Sequence, residues 1–263
     1  MVLAAILLGS VRLDTSTINV FAAASLREAF ISIANSYEHH HPGVKINFNF
    51  AGSQVLAAQI NGGAPADVFA SADLANLEKV PSDRASRVIF AENKLAVVTS
   101  LNFEIHSVKE IVRAERIVVA DDSVPVGNYT NIFLEKAARS FGTAWVTDFK
   151  SKVVSKEQDV KSVLAKVKIG EADAGIVYVS DAVSAGKSVH AVSIPDSMTT
   201  FALYPAAVPS GAQNPAGGKD FIKYLLKASS QRILRAVGFL PPNHGQRVSF
   251  LKPANAIVVT AGG

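Results

Sequence analysis

The chain has 263 residues, 49% hydrophobic and 18% charged, enough to bury a sizeable core in one or two globular domains. Its formal charge of +4 (pI near 9.2) comes from scattered Lys and Arg with no basic run longer than two. That leaves no nucleic-acid footprint and only a weak, salt-screened pull on anions. Cysteine is absent, so disulfides, thiolate metal sites and a lipid-modified cysteine are excluded within this sequence.

Residues 1–10 are apolar but fall short of the ~20 residues that span a bilayer. They resemble the end of a secretory signal without its basic leader, with Arg12 after the apolar run; residues 1–17 are expected to be a truncated signal remnant. The first globular signal is Ile18-Asn19-Val20-Phe21-Ala22-Ala23-Ala24-Ser25, a short buried strand running out through small residues into a serine. Leu26, Ala29, Phe30, Ile33, Ala34 and Tyr37 then trace one face of a helix. Ser25 is expected at its N-cap, and Ser25-x-x-Glu28 has the spacing of a capping box. Residues 44–50 alternate with period 2 and lead through Ala51-Gly52-Ser53 into a second helix start. Two strand–serine–helix units put two hydroxyls and two sets of unpaired backbone N–H groups at the carboxyl edge of one sheet, a natural anion site.

Further along, 66–70 reads as a strand and 73–80 as a helix. Residues 94–99 form a strand that crosses into a second lobe, followed by a helix over 107–114 and a strand over 116–121. A Pro/Gly loop over 122–127 precedes a helix over 128–140. A strand over 152–154, a helix over 158–168 and strands over 174–179 and 189–194 follow. Residues 201–208 cross back, and 220–237 read as one long amphipathic helix. This alternation predicts an α/β protein with mixed, mostly parallel sheets. The tail over 241–263 reads as an extension, with one added strand over 256–260.

Ala22-Ala23-Ala24-Ser25-Leu26, Phe50-Ala51-Gly52-Ser53 and Gly63-Ala64-Pro65-Ala66-Asp67-Val68-Phe69-Ala70-Ser71-Ala72-Asp73 together resemble the periplasmic molybdate-binding proteins of bacterial ABC transporters. The likeness continues through Val124-Pro125-Val126-Gly127-Asn128-Tyr129, Gln158-Asp159-Val160 and Gly175-Ile176-Val177-Tyr178-Val179-Ser180-Asp181-Ala182, spanning about residues 18–239. Each motif is weak alone; six in order are specific.

The resemblance implies a type II periplasmic-binding fold of two α/β lobes joined by a two-strand hinge. Lobe 1 would be discontinuous (18–93 and 201–240), and lobe 2 would be 94–200. It further implies an oxyanion site made by the hydroxyls of Ser25, Ser53 and Tyr178 and the backbone amides of Val126 and Val160. Molybdate or tungstate would be the ligand and a membrane ABC permease the partner, with no cofactor, no nucleic acid and a monomeric chain. Val126 stands where the family often has a smaller residue. Donors alone suit a fully deprotonated dianion, since they avoid burying a countercharge.

Some residues stay open. Asp121, Asp122 and Asp159 could serve a protonated anion such as phosphate, or be solvated loop carboxylates; sulfate too remains an alternative ligand. Arg27 is expected to face solvent, and His39-His40-His41 before Pro42-Gly43 to form a solvated helix end rather than a metal site. An enzyme is disfavoured, because G-x-S-x-G, H-E-x-x-H, P-loop and dinucleotide glycine signatures are all missing. A hydrolase using Ser25 is the residual catalytic alternative. A regulator's sensing domain would need an attached module, for which two lobes leave no room.

Overall fold

The computed structural model describes residues 16–242. The chain opens with β1 (Ser16–Ala23), α1 (Arg27–His40), β2 (Val44–Ala51), α2 (Ser53–Asn61), β3 (Val68–Ala70), α3 (Leu74–Glu78) and β4 (Val88–Asn93). It continues through β5 (Leu95–Thr99), β6 (Ile117–Ala120), α4 (Pro125–Phe141), α5 (Thr143–Ser151), β7 (Val153–Glu157), α6 (Val160–Lys168), β8 (Ala174–Tyr178), α7 (Val179–Ala185) and β9 (His190–Ser193). It closes with β10 (Ala202–Ala207), α8 (Pro215–Leu225) and α9 (Ala228–Ala236). Among the described residues no helix is long and apolar enough to cross a membrane.

The strands form two five-stranded sheets, ordered β2-β1-β3-β10-β4 and β7-β6-β8-β5-β9. Each is mixed. In the first, β1 runs parallel to β2 and β3, while β10 is antiparallel to β3 and β4. In the second, β6 is parallel to β7 and β8, and β5 is antiparallel to β8 and β9. The chain leaves the first sheet through Lys94 alone, between β4 and β5, and returns to it with β10.

Burial follows position in the sheet. Inner strands β3, β5 and β8 are buried at every residue, because helices cover both faces. Edge strands β7 and β9 alternate, since one face meets solvent, and edge strand β2 does so over its first half. On α1 the periodic face is the one that packs: Ala29, Phe30, Ile33, Ala34 and Tyr37 are all buried.

Several local expectations are corrected. The helix expected over 128–140 begins at Pro125, which occupies the first turn, where its missing N–H is no loss. Gly127 is therefore helical, and a Cβ there would lie 2.0 Å from the Asp121 carbonyl oxygen. The single helix expected over 220–237 is two. Ser230 Oγ donates to the Tyr224 carbonyl (2.7 Å) and Gln231 Nε2 to those of Leu225 and Phe90 (2.9 Å each), so side chains take up carbonyls at the break. Residues 108–113 form a 3-10 turn rather than an α-helix. Strand β4 and helices α5 and α7 have no counterpart in the sequence reading. Of the expected signal remnant, Ser16 and Thr17 belong to β1; residues 1–15 and the expected strand over 256–260 lie outside the described residues.

Asp67, from the Gly63–Asp73 motif, is an architectural residue. It is 1% exposed, and its carboxylate accepts from the backbone N–H of Asn19 (2.8 Å) and Asn214 (2.6 Å). It thereby ties β1 to the start of α8, whose N-cap is Asn214. Replacing Asp67 with Ala strands two amides, each costing about 1–3 kcal/mol. Asp67→Ala is expected to lower unfolding stability in urea by roughly 2–4 kcal/mol; an unchanged midpoint would show that this tie does not support the fold.

Candidate functional site

Ser25 does not cap a helix. A 3-10 turn over Ala24–Leu26 separates β1 from α1 and places Ser25 inside it, with no side-chain cap bond at either helix start. Its buried hydroxyl lies 2.9 Å from the Tyr204 hydroxyl on β10. The expected capping box is absent for the same reason: Glu28, at its far end, bonds Lys161. Ser53 is the first residue of α2, as expected, and its Oγ accepts the Ala72 backbone N–H at 3.0 Å.

Val126 and Val160 lie in the first turns of α4 and α6 with buried side chains. First-turn amides have no partner within their own helix. Neither α2 nor α4 has a side-chain cap, whereas α6 is capped by Asp159. Tyr178 ends β8, where its hydroxyl is fully buried and has no hydrogen-bond partner. Burial pushes the phenols of Tyr178 and Tyr204 well above their usual range, so both keep their protons at neutral pH.

These positions meet. Ser25, Ser53, Val126, Val160 and Tyr178 line one cavity of about 20 Å³, together with small residues including Ala23, Ala24, Gly52 and Ala72. It lies between the two sheets' helix starts, and the lobes touch around it. A Cβ on Gly52 would sit 2.4 Å from the Gln158 carbonyl oxygen, so only glycine permits this approach. Gln54 Nε2 donates to that same oxygen at 2.8 Å. The one carboxylate on the wall, Asp159, accepts from Ser162 N (3.0 Å) and Ser162 Oγ (3.1 Å). Asp121 and Asp122 are not on the wall; Asp121 accepts from Ser123, and Asp122 from Lys156 and Asn131. A larger open hollow of about 740 Å³ along β9 shares no lining residue with this cavity.

Beside the cavity, Lys161 bridges the lobes. Its Nζ is 2.7 Å from Glu28 on α1 and 2.9 Å from Asp181 on α7; the second contact is a close ion pair without hydrogen-bond alignment. Burial alone would lower the Lys161 pKa, but the facing Asp181 and Glu28 carboxylates outweigh it and the net shift is upward. Asp181 is completely buried, and burial raises its pKa to about 6 against the opposing pull of Lys161. Sequence reasoning missed Tyr204, Asn93 and Lys161 as site neighbours; Tyr204 is 179 positions from the serine it bonds, beyond any local pattern.

The remaining candidates fall outside the cavity. Arg27 is exposed, as expected, with its guanidinium stacked 4.6 Å from the centre of the Phe50 ring. His40 and His41 donate to the carbonyls of Ser36 and Tyr37 at the end of α1. Among the described residues no three His, Cys, Asp or Glu side chains cluster as metal ligands.

Two mixed α/β lobes that close donors around a small cavity define a solute-binding protein of the periplasmic-binding class. The family model for bacterial extracellular solute-binding proteins matches residues 18–240, and the chain belongs to that family. The chain is 38% identical over 232 residues to the molybdate-binding protein ModA of Mycobacterium tuberculosis, covering 86% of this chain and 85% of that relative. It is 36% identical over 245 residues to ModA of Escherichia coli, covering 88% and 91%. The periplasmic molybdate-binding protein of Azotobacter vinelandii has the same fold, with a TM-score of 0.76 at 19% identity over 86% of this chain and all of that one.

Two measurements test the ion bridge. Because Asp181 has a raised pKa, the native state takes up a proton between about pH 6 and 4 that the unfolded chain does not. Its contribution to stability is thus full below the unfolded pKa and is lost as pH rises through about 6. Asp181→Asn is expected to flatten the melting-temperature profile between about pH 4 and 6 relative to the parent; parallel profiles would refute the assignment. Glu28→Gln removes the contact between lobes and is expected to speed ligand release about two- to fivefold, for a partly exposed pair worth roughly 0.5–1 kcal/mol. Stopped-flow release at low and high salt would show the effect shrinking with salt, and a salt-independent rate would contradict it.

Proposed function

We propose that the protein captures molybdate, and tungstate with it, between its lobes outside the cytoplasm and delivers the oxyanion to an ABC permease in the membrane. The observation that carries this reading is the convergence of hydroxyl and first-turn amide donors from both lobes on one small cavity. The unpartnered, protonated Tyr178 hydroxyl is among them. A space of about 20 Å³ is far below the ~300–1,000 Å³ of organic-ligand pockets, which favours a small solute. The molybdate-binding relatives supply the choice among oxyanions; sulfate is the second reading, since donors alone also suit it.

In this proposal Ser25, Ser53, Tyr178 and the amides of Val126 and Val160 are the anion's ligands. Residues 18–93 with 201–240 form one lobe and 94–200 the other, in keeping with the two sheets. Segments 93–95 and 200–204 act as the hinge, because a ligand held from both sides is fully bound only when the lobes close. The chain works as a monomer and turns nothing over. Small-angle scattering should show compaction on ligand addition.

Calorimetric titration with molybdate, tungstate, sulfate and phosphate tests the assignment. Tight binding of the first two alone is expected; tight binding of sulfate or phosphate without molybdate would reject it. Ser25→Ala, Ser53→Ala and Tyr178→Phe each remove a donor to a charged group, about 1.5–3 kcal/mol or roughly tenfold to a hundredfold in affinity. Ser25→Ala should also lower the unliganded melting point, through the lost bond to Tyr204. Val160→Ala should leave affinity nearly unchanged. Loss of binding in Val160→Ala with Ser25→Ala and Ser53→Ala intact would place the site elsewhere.

A further inference from the structure

The Ser25 and Tyr204 hydroxyls are 2.9 Å apart, and on that distance alone either could donate. Their surroundings decide the direction. Asn93, at the end of β4, is fully buried, and its Oδ1 accepts the Lys94 backbone N–H at 2.9 Å. A backbone N–H can only donate, so this bond fixes which end of the side-chain amide is oxygen. The Asn93 NH2 group then donates to Ser180 Oγ at 2.8 Å, and it is near enough to the Tyr204 phenol to pull against the burial-driven rise in its pKa, as a donor does. A phenol oxygen that faces an N–H donor keeps its own proton for an acceptor, and Ser25 Oγ is the acceptor within reach. With one lone pair of Ser25 taken, its proton turns away from Tyr204, towards the cavity that Ser25 lines.

The other two hydroxyls are set the same way by different means. Ser53 Oγ accepts the Ala72 N–H, which leaves its proton free. The Tyr178 hydroxyl has no hydrogen-bond partner among the described residues. The wall carboxylate, Asp159, is turned back onto Ser162. Every side-chain hydroxyl on the wall is thus prepared to donate.

We propose that Tyr204 is a positioning residue, set by Asn93, that directs the Ser25 hydroxyl proton into the cavity and so keeps the site donor-only. It rests on the oxyanion reading above. Without the phenol, the Ser25 hydroxyl is free to turn, and its lone pairs are open to a protonated anion.

A double-mutant cycle read by calorimetry with molybdate tests this. Tyr204→Phe keeps the ring, which packs against Phe90, Tyr178 and Phe239. It is expected to weaken molybdate binding about tenfold in the parent background while narrowing the preference for molybdate over hydrogen phosphate. In the Ser25→Ala background the same change should have almost no effect, because there is no hydroxyl left to orient. A Tyr204 that only supports the fold would weaken binding equally in both backgrounds and leave the anion preference alone, which would overturn the proposal. Should Tyr204→Phe fail to fold, Asn93→Ala leaves the phenol in place while freeing it, and must show the same dependence on Ser25. Parent protein that binds none of the four oxyanions overturns the functional reading and the positioning role with it; parent binding with an additive cycle overturns the positioning role alone.

Discussion

A dianion can enter a dry cavity only if the donors there replace the water it leaves, and this requirement organises the molecule. An unpaired buried charge costs far more than any single contact returns, while hydrogen bonds to an ionised acceptor are about twice as strong as neutral ones. The fold meets the requirement by bringing strand ends and helix starts from two sheets to one point. First-turn amides of α2 and α4 are left without side-chain caps, and Tyr178 is left without a partner. Small residues along the wall allow the approach, and Gly52 is the tightest case, with the Gln158 carbonyl where a Cβ would be. Unsatisfied donors of this kind would count against a finished core. Under the proposed function they are what a ligand would complete.

No cationic side chain lines the cavity, and its one carboxylate, Asp159, is turned onto Ser162; the ion bridge lies beside it. Lys161 joins α1 of one lobe to α7 of the other through Glu28 and Asp181, close to the first turn of α6 that supplies Val160. Lys161 itself is not among the residues that line the cavity. Under the proposed function, a chain of modest net charge would serve an anion through the local donors, since a long-range field adds little at physiological salt. Asn93 and Tyr204 sit where the chain passes between the lobes, so the groups around Ser25 are held by the same strands that would flex on opening.

Much of this was legible in the chain itself, for local reasons. The continuous apolar runs of β5 and β8 mark inner strands, and the alternation in β2 marks an edge, because side-chain period reports how many faces are covered. The face of α1 follows from 3.6-residue spacing alone. Ser25, Ser53, Val126, Val160 and Tyr178 could be named from motifs, and they do line one cavity. What failed were inferences from punctuation. Pro125 and Gly127 read as a loop but begin α4, since proline is also a good first helical residue. The run over 220–237 read as one helix, but Ser230 and Gln231 divert the carbonyls at its middle.

Ser25 shows where sequence stops and tertiary structure takes over. Residue type and position after β1 determined that a hydroxyl would stand at the carboxyl edge of the first sheet. The spacing to Glu28 suggested a local partner for it. The structure gives both residues distant ones instead, Tyr204 for Ser25 and Lys161 for Glu28. A capping bond stabilises by about 1 kcal/mol and is easily outweighed when packing offers a buried phenol and a bridging ammonium. Composition and periodicity thus determined the class of fold and the strand and helix faces, while the family resemblance pointed to Val126, Val160 and Tyr178 as donors. Only the approach of β10 and α6 to the turn and helix that follow β1 decided what those donors touch, because partners 133 and 179 positions away leave no trace in local spacing.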